Sequence, residues 1–489
     1  MKANSRRGTK SPALAAWLTT LLIATSAQAQ GSFQSLVSFT FTNGPDYGAF
    51  TVGSRAGALV QGPDGDLYGT TPTGGVLDSV PGYYGTVFKI APDGAFTSLY
   101  LFGTVFYGAG GNDNGHWPQG NLIKGLDGLV YGTTQYGGPP NGGTVFAITT
   151  NGQLNVFYTF GNAAGYDTRN GWTNYDGASP IGGVIQASDG NFYGTTPVYG
   201  AYGNGTVFQL SPGGTLTTLH AFSPLDSANS YENADGANPY GELVEGPDGA
   251  FYGTTTAGGS NAYGEGTVFR VSADGQFATL HSFPYNAGRP LGGLVQGQDG
   301  NLYGTTSSGS GSVFQLNTNG TFSTLHTFAG PEGSNPMAAL TVGSDGNFYG
   351  TTEVGGPTGD GTVFQITPGG ALTTLHGFNG TDGANPNAAL MQIANGDFYG
   401  TTSRGGAGYG TVFRLTIPPV IETITAAGGQ VQLGWHAMPN QTCQVQYTTN
   451  LSLAAWQDLG SPITATNTSL SAVDRPAGDA QRFYRIQLR

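Results

Sequence analysis

The octapeptide DGNFYGTT occupies residues 189–196. Near-copies place Tyr-Gly-Thr-Thr at Tyr68, Tyr131, Tyr193, Tyr252, Tyr303, Tyr349 and Tyr399, 46 to 63 residues apart. A second motif follows each copy: Gly-Thr-Val-Phe beginning at Gly85, Gly143, Gly205, Gly266, Gly361 and Gly410, and Gly-Ser-Val-Phe at Gly311. A third follows in turn, as in GTLTTLHAF (214–222) and GTFSTLHTF (320–328). Upstream of the first lies a short apolar segment such as GALVQG or GGLVQG. Each unit thus holds four strand candidates, separated by Gly, Asp, Asn and Pro turn signals.

Four short strands per unit, repeated at this period, predict an all-β fold, a seven-bladed β-propeller. Adjacent large apolar residues, Phe-Tyr and Val-Phe, fit strands covered on both faces, as neighbouring blades would cover them. The Gly after each Tyr is expected where sheets approach closely. The strand count points to ring closure. The third motif is missing after Phe413, where the chain runs into Ile417-Pro418-Pro419, yet a lone copy, GSFQSLVSF, stands at 31–39. The count balances only if this N-terminal strand completes the last blade, which would also remove free sheet edges.

The DGxxYGTT…GTVF pattern resembles the GloVer (Gloeo_Verruco) tandem repeat of exported bacterial proteins, over about 31–416. The resemblance implies a propeller and an exported protein, with no defined activity and no catalytic residues. The last 70 residues differ. Val431, Leu433 and Trp435 alternate onto one face and Cys443, Val445 and Tyr447 onto another. This segment resembles a small fibronectin type III-like sandwich. The expected organisation is a signal peptide at 1–29, the propeller at 30–416, a Pro-rich linker at 417–420 and the β-sandwich at 421–489.

The signal peptide rests on a positive start (Lys2, Arg6, Arg7, Lys10), an apolar run and the small-x-small site Ala27-Gln28-Ala29. It implies export to the cell surface, the extracellular space or the periplasm, with no membrane span after cleavage. The 85 glycines without a G-X-Y period exclude collagen, and 12% aromatic residues argue against a disordered chain. Only 9% of residues are charged and the net charge is −13, which argues against a nucleic-acid partner. Cys443 is the only cysteine, so an intrachain disulfide and a cysteine metal cluster are both excluded.

Loops after the first and third strands are uniform tight turns. Those after the second strand, and between units, vary in length, and function favours variable loops on a rigid scaffold. The longest connections, 103–118, 161–180 and 223–239, carry His116, Trp117, Tyr166, Arg169, Trp172, Tyr175, Asp176, Tyr231, Glu232 and Asp235. Aromatic faces beside Asn and Asp suit sugar rings, so these residues are the candidate ligand site. His220, His281, His326 and His376 recur at one outer-strand position, which spreads them around the rim, too far apart to share a metal. Asp176, Asp235 and Asp382 lie in DGASP or DGANP segments whose spacing matches no complete calcium loop. No catalytic residue, metal or cofactor is assigned. The expected function is an exported, non-enzymatic binding or cell-surface module, monomeric, for a polysaccharide or a surface protein. The alternative is a polysaccharide hydrolase or lyase, which would need Asp167, Asp176, Glu232 or Asp235 to meet across the face.

Overall fold

A computed structural model describes residues 32–39, 57–73, 84–92, 94–103, 114–139, 141–161, 164–167, 171–226, 232–261, 263–286, 288–451, 455–476 and 481–489. The expected signal peptide, Gly31, Arg169 and Tyr231 lie outside these residues. The chain is all-β; among the described residues the one helical element is a single 3-10 turn at Gly330–Glu332. No helix there is long and apolar enough to cross a membrane.

The repeat forms four-stranded antiparallel sheets, seven of them among the described residues. The third runs Val184–Gln186, Phe192–Thr196, Thr206–Leu210 and Leu216–Ala221, each strand paired with the next. The seventh consists of Met391–Gln392, Phe398–Thr402 and Thr411–Thr416, and its outer strand is Ser32–Ser38 from the far end of the chain. Ser32 faces Thr416 and Ser38 faces Thr411 across that pairing.

The opening octapeptide now has a physical reading. Successive strand residues point to opposite faces. Phe192 therefore packs on Tyr131 of the preceding sheet (ring centroids 4.6 Å apart), while Tyr193 stacks on Phe251 of the following one (3.8 Å). The Tyr193 hydroxyl donates to Asp189 at 2.7 Å, and Asp189 also accepts from the Asn191 amide, closing the turn. The last Thr of the motif pairs with the Thr that opens the next strand, Thr196 with Thr206 at 2.8 Å. In four of the copies the preceding Thr reaches the next sheet, as where Thr254 donates to the Gly292 carbonyl and Thr305 to that of Ala338. The Gly has a different reason from the expected one. A Cβ on Gly304 would lie 2.5 Å from Cζ of Phe314 and 2.9 Å from Leu294, both of its own sheet. It makes room for the Val-Phe motif's ring and not for a neighbouring sheet.

Each apolar cluster joins two consecutive sheets. Tyr131, Val145 and Phe160 meet Val184, Phe192 and Phe208, and the same pattern recurs along the chain. The series returns on itself: Phe39, Tyr399 and Val412 of the seventh sheet pack with Leu59, Leu67, Phe88 and Ile90 of the first.

The C-terminal segment forms two antiparallel sheets. One holds Val420–Ala427, Gln430–His436 and Ser469–Asp474; the other is built on Thr442–Thr448 and Phe483–Leu488. Leu433, Trp435, Cys443 and Val445 fill the space between them. Tyr447 does not join this core and lies under the Arg482 guanidinium at 3.9 Å. Met438 packs into the cluster shared by the sixth and seventh sheets, and Asn440 donates to the Ala394 carbonyl at 2.8 Å. Both contacts fall on tight-turn ends of the sheets.

Candidate functional site

On the long-loop face the connections and the second hairpin loops bond to each other. His116 pairs with Tyr136, Ala178 with Val198, Ser334 with Val354, and Ala384 with Arg404. This places both variable loop sets on one side, as the strand order requires.

The acidic candidates are occupied by the protein itself. Asp176 is 3% exposed and accepts from the Tyr158 hydroxyl at 2.8 Å and the Gly161 amide at 3.1 Å. Burial raises its pKa, against the opposing pull of those bonds. Asp235 is buried as well and accepts from His220 at 3.0 Å and from the Ser223 amide and hydroxyl, both at 2.9 Å. Burial works to raise its pKa, but these bonds together outweigh it and hold the carboxyl below its usual value. Glu332 and Asp382 clamp His326 and His376 in the same way. In four of the connections an acid thus ties the loop to the outer strand. The rim histidines also stack on the next sheet's Phe, His220 on Phe277 at 3.7 Å and His376 on Phe33 at 3.8 Å. Among the described residues no three His, Cys, Asp or Glu side chains gather where they could hold a metal.

The remaining candidates are scattered. Tyr166 and Trp172 sit opposite each other in a hairpin of Ala164–Asp167 and Gly171–Asn174. Tyr175 is half exposed, and Glu232 pairs through its backbone with Asp226. His116 is packed between Tyr84 and Tyr136, its Nδ1 buried without a hydrogen-bond partner, and burial lowers its pKa. Trp117 is 37% exposed and meets Tyr136 edge-on at 5.6 Å.

Trp117 leads to the site. It holds φ of 58°, a left-handed backbone that costs a non-Gly residue about 1–2 kcal/mol. Of the five matching pre-proline positions four, Ser179, Asn238, Asn335 and Asn385, are also at positive φ, and Arg289 is not. Asn tolerates that conformation and Trp gains nothing local from it. Beyond Tyr136 opens a groove of about 720 Å³, lined among others by Tyr136, Ile181, Tyr199, Tyr202 and Tyr240. Tyr199 and Tyr202 are 48% and 55% exposed, and Tyr199 also holds a positive φ of 61°.

The groove adjoins a smaller cavity of about 110 Å³, with Ile181 and Tyr240 lining both. All seven sheets contribute to this cavity through the residues that precede their innermost strands, among them Gly57, Asn121, Gly182, Glu242, Gly292, Ala338 and Ala388. The residue immediately before the apolar Leu or Val of each such strand is Ala58, Asn121, Gly183, Glu242, Gly293, Ala339 or Ala389. Five are small. The two that are not bond to each other, Asn121 Nδ2 donating to Glu242 Oε2 at 3.0 Å. Asn121 Oδ1 accepts from the Ala58 amide at 3.1 Å, which fixes the direction of its NH₂ group. Glu242 lines the open cavity and is partly exposed to it. Burial pushes its pKa up to about 7 against the smaller opposing effect of Asn121. Neither Glu242 nor the four groove tyrosines belonged to the expected site. The signal that marks Glu242 and Asn121 is their departure from a small-residue slot once the repeats are set in register.

The repeat described as Gloeobacter/Verrucomicrobia repeat matches residues 168–310 and 307–431, together more than half of the chain. The chain belongs to this repeat family. No curated protein matches this Gloeobacter/Verrucomicrobia repeat protein. Among solved structures it is similar to the extracellular domain of a hybrid two-component system protein from B. thetaiotaomicron, at 11% identity and a TM-score of 0.46, over 94% of this chain and 55% of that one. The repeat protein thus spans just over half the length of that domain. It is also similar to a protein described as a 6-phosphogluconolactonase from Bacteroides uniformis (15% identity, 84% of this chain, 99% of that one, TM-score 0.44). A third is the periplasmic gluconolactonase of Pseudomonas aeruginosa (17%, 65% and 84%, TM-score 0.40).

Proposed function

We propose that the chain is an exported seven-bladed β-propeller that binds carbohydrate on its long-loop face, without cleaving it. In this reading residues 1–29 are a signal peptide, 30–416 the propeller, 417–420 a linker and 421–489 a fibronectin type III-like domain. The observation that carries it is the groove of about 720 Å³ lined by Tyr136, Tyr199, Tyr202 and Tyr240. Exposed tyrosine faces stack on the apolar face of a pyranose, and their hydroxyls pair with ring substituents. Two of these rings are held out to solvent, one at a backbone conformation that opposes folding. Such local strain is a mark of functional sites. Trp117 extends the aromatic surface from the side.

Cleavage has less support. Glycoside hydrolysis uses two carboxyl groups roughly 5–9.5 Å apart. Among the described residues Glu242 is the one carboxylate lining either cavity.

A glycan array followed by titration calorimetry tests the reading. Tyr199→Ala and Tyr202→Ala are each expected to weaken binding of the best array ligand by about 10-fold, with unchanged melting curves. Undiminished binding by the double variant would move the site elsewhere. New reducing ends or unsaturated products would make the protein an enzyme.

A further inference from the structure

We infer that Glu242 reads a free amino group, so that the ligand of the groove is a polysaccharide built from unacetylated amino sugars. This rests on the carbohydrate reading of the groove and names its class.

Three observations converge. The first is charge. Among the described residues no Lys, Arg or His lines the groove or the adjoining cavity, and the chain carries a net charge of −13. An acidic sugar would meet Glu242 with nothing to offset the repulsion, whereas an ammonium group meets its counter-charge.

The second is preorganisation. Asn121, set by the Ala58 amide, holds Oε2 of Glu242 at 3.0 Å. Oε1 has no protein hydrogen-bond partner among the described residues. The carboxylate is thereby fixed with one oxygen free. A primary ammonium group brings three donors, of which one suits Oε1.

The third is size. About 110 Å³ receives a substituent and not a ring. The groove, at about 720 Å³, receives the rings. Tyr240 and Ile181 line both spaces, so a pyranose stacked in the groove can direct one substituent into the cavity. Gly293, Ala339 and Ala389 line the cavity at three of the other slots, and a larger residue at any of these three would narrow it.

The test compares three oligosaccharides of equal length by titration calorimetry near neutral pH: β-1,4-linked glucosamine, its N-acetylated form, and the neutral β-1,4-glucose oligomer. The glucosamine oligomer is expected to bind at least 10-fold more tightly than the other two. Glu242→Gln is expected to abolish that preference, so that the glucosamine oligomer binds no more tightly than the neutral one. Asn121→Ala, which leaves the carboxylate in place but unheld, should lower the preference by a smaller factor. Equal binding of all three, unaltered by Glu242→Gln, would overturn the amino-group inference while leaving the groove as a sugar site. Failure of all three, together with silence across the array, would overturn both.

Discussion

A variant lacking residues 32–39 is expected to lose most of its folding stability. This strand comes first among the described residues, but it is the outer strand of the seventh sheet, paired from Ser32 to Ser38 with Thr416 to Thr411. Phe33 stacks on His376 at 3.8 Å and lies 5.2 Å from Phe413. Phe39 is 3% exposed and meets Phe88 and Phe96 of the first sheet. Leu36 and Val37 pack against the same junction. Full burial of such a side chain contributes about 1.5–3 kcal/mol. Three of the four, Phe33, Leu36 and Val37, are only partly covered, so the set contributes roughly 5 kcal/mol, against a total stability of about 5–15 kcal/mol. The deletion also opens a sheet edge and separates the first and seventh sheets. A calorimetric scan should show the transition lowered by about 10 °C or more, with aggregation on heating. A peptide of residues 31–39, added in excess, should recover part of the loss by adding back the strand. A transition at the same temperature would show that the ring does not depend on this segment.

The second large effect runs the other way. Glu242→Gln is expected to stabilise the protein at alkaline pH. Glu242 has its pKa held up to about 7 in the fold, against 4.5 for an ordinary Glu. A carboxyl raised in this way favours the folded state while it is protonated. The contribution is complete below about pH 4.5 and is lost as pH rises through about 7. Above that, the fold carries a poorly solvated charge. The displacement corresponds to roughly 3 kcal/mol, and water reaching the cavity mouth reduces it to something on the order of 2 kcal/mol. Gln is neutral throughout. Melting curves of the two proteins should therefore coincide near pH 4 and separate progressively, with the variant more stable by about 2 kcal/mol near pH 8. Coincidence at every pH would mean that Glu242 is well solvated and not a site residue. A charge kept where it lowers stability is the usual mark of a group retained for binding.

Much of the scaffold was legible in the residues, and the reason is periodicity. Phe-Tyr and Val-Phe pairs announce strands covered on both faces, and the lone GSFQSLVSF copy announces its missing partner. Less legible was the role of each conserved-looking letter inside the unit. Gly304 yields to Phe314 of its own sheet, a contact between strands that no spacing rule states. The polar loop residues misled for a different reason. Asp176 and Asp235 sit in long Gly- and Asn-rich connections and read as solvent-facing, yet they fold back onto Tyr158 and His220. A carboxylate near a ring hydroxyl or imidazole in space has no signature in sequence when 15 to 18 residues separate the partners. Glu242 has no signature within its own unit, because GELVEG resembles its six counterparts. Only the ring geometry shows that its second position faces a shared cavity.

Closure of the ring underlies every statement about the shared cavity and the groove beside it. Gln34 and Arg414 are directly opposite in the pairing of the two chain segments, and the Arg414 guanidinium donates to the Gln34 side-chain oxygen. Opposed residues in antiparallel strands have Cα atoms about 4.5–5.5 Å apart, within the span a disulfide bridges. The double variant Gln34→Cys/Arg414→Cys, oxidised and run without reductant, should migrate as a compact monomer with both new thiols protected from maleimide, since Cys443 is buried. Full maleimide labelling of both positions in the folded, oxidised protein would contradict the closed ring.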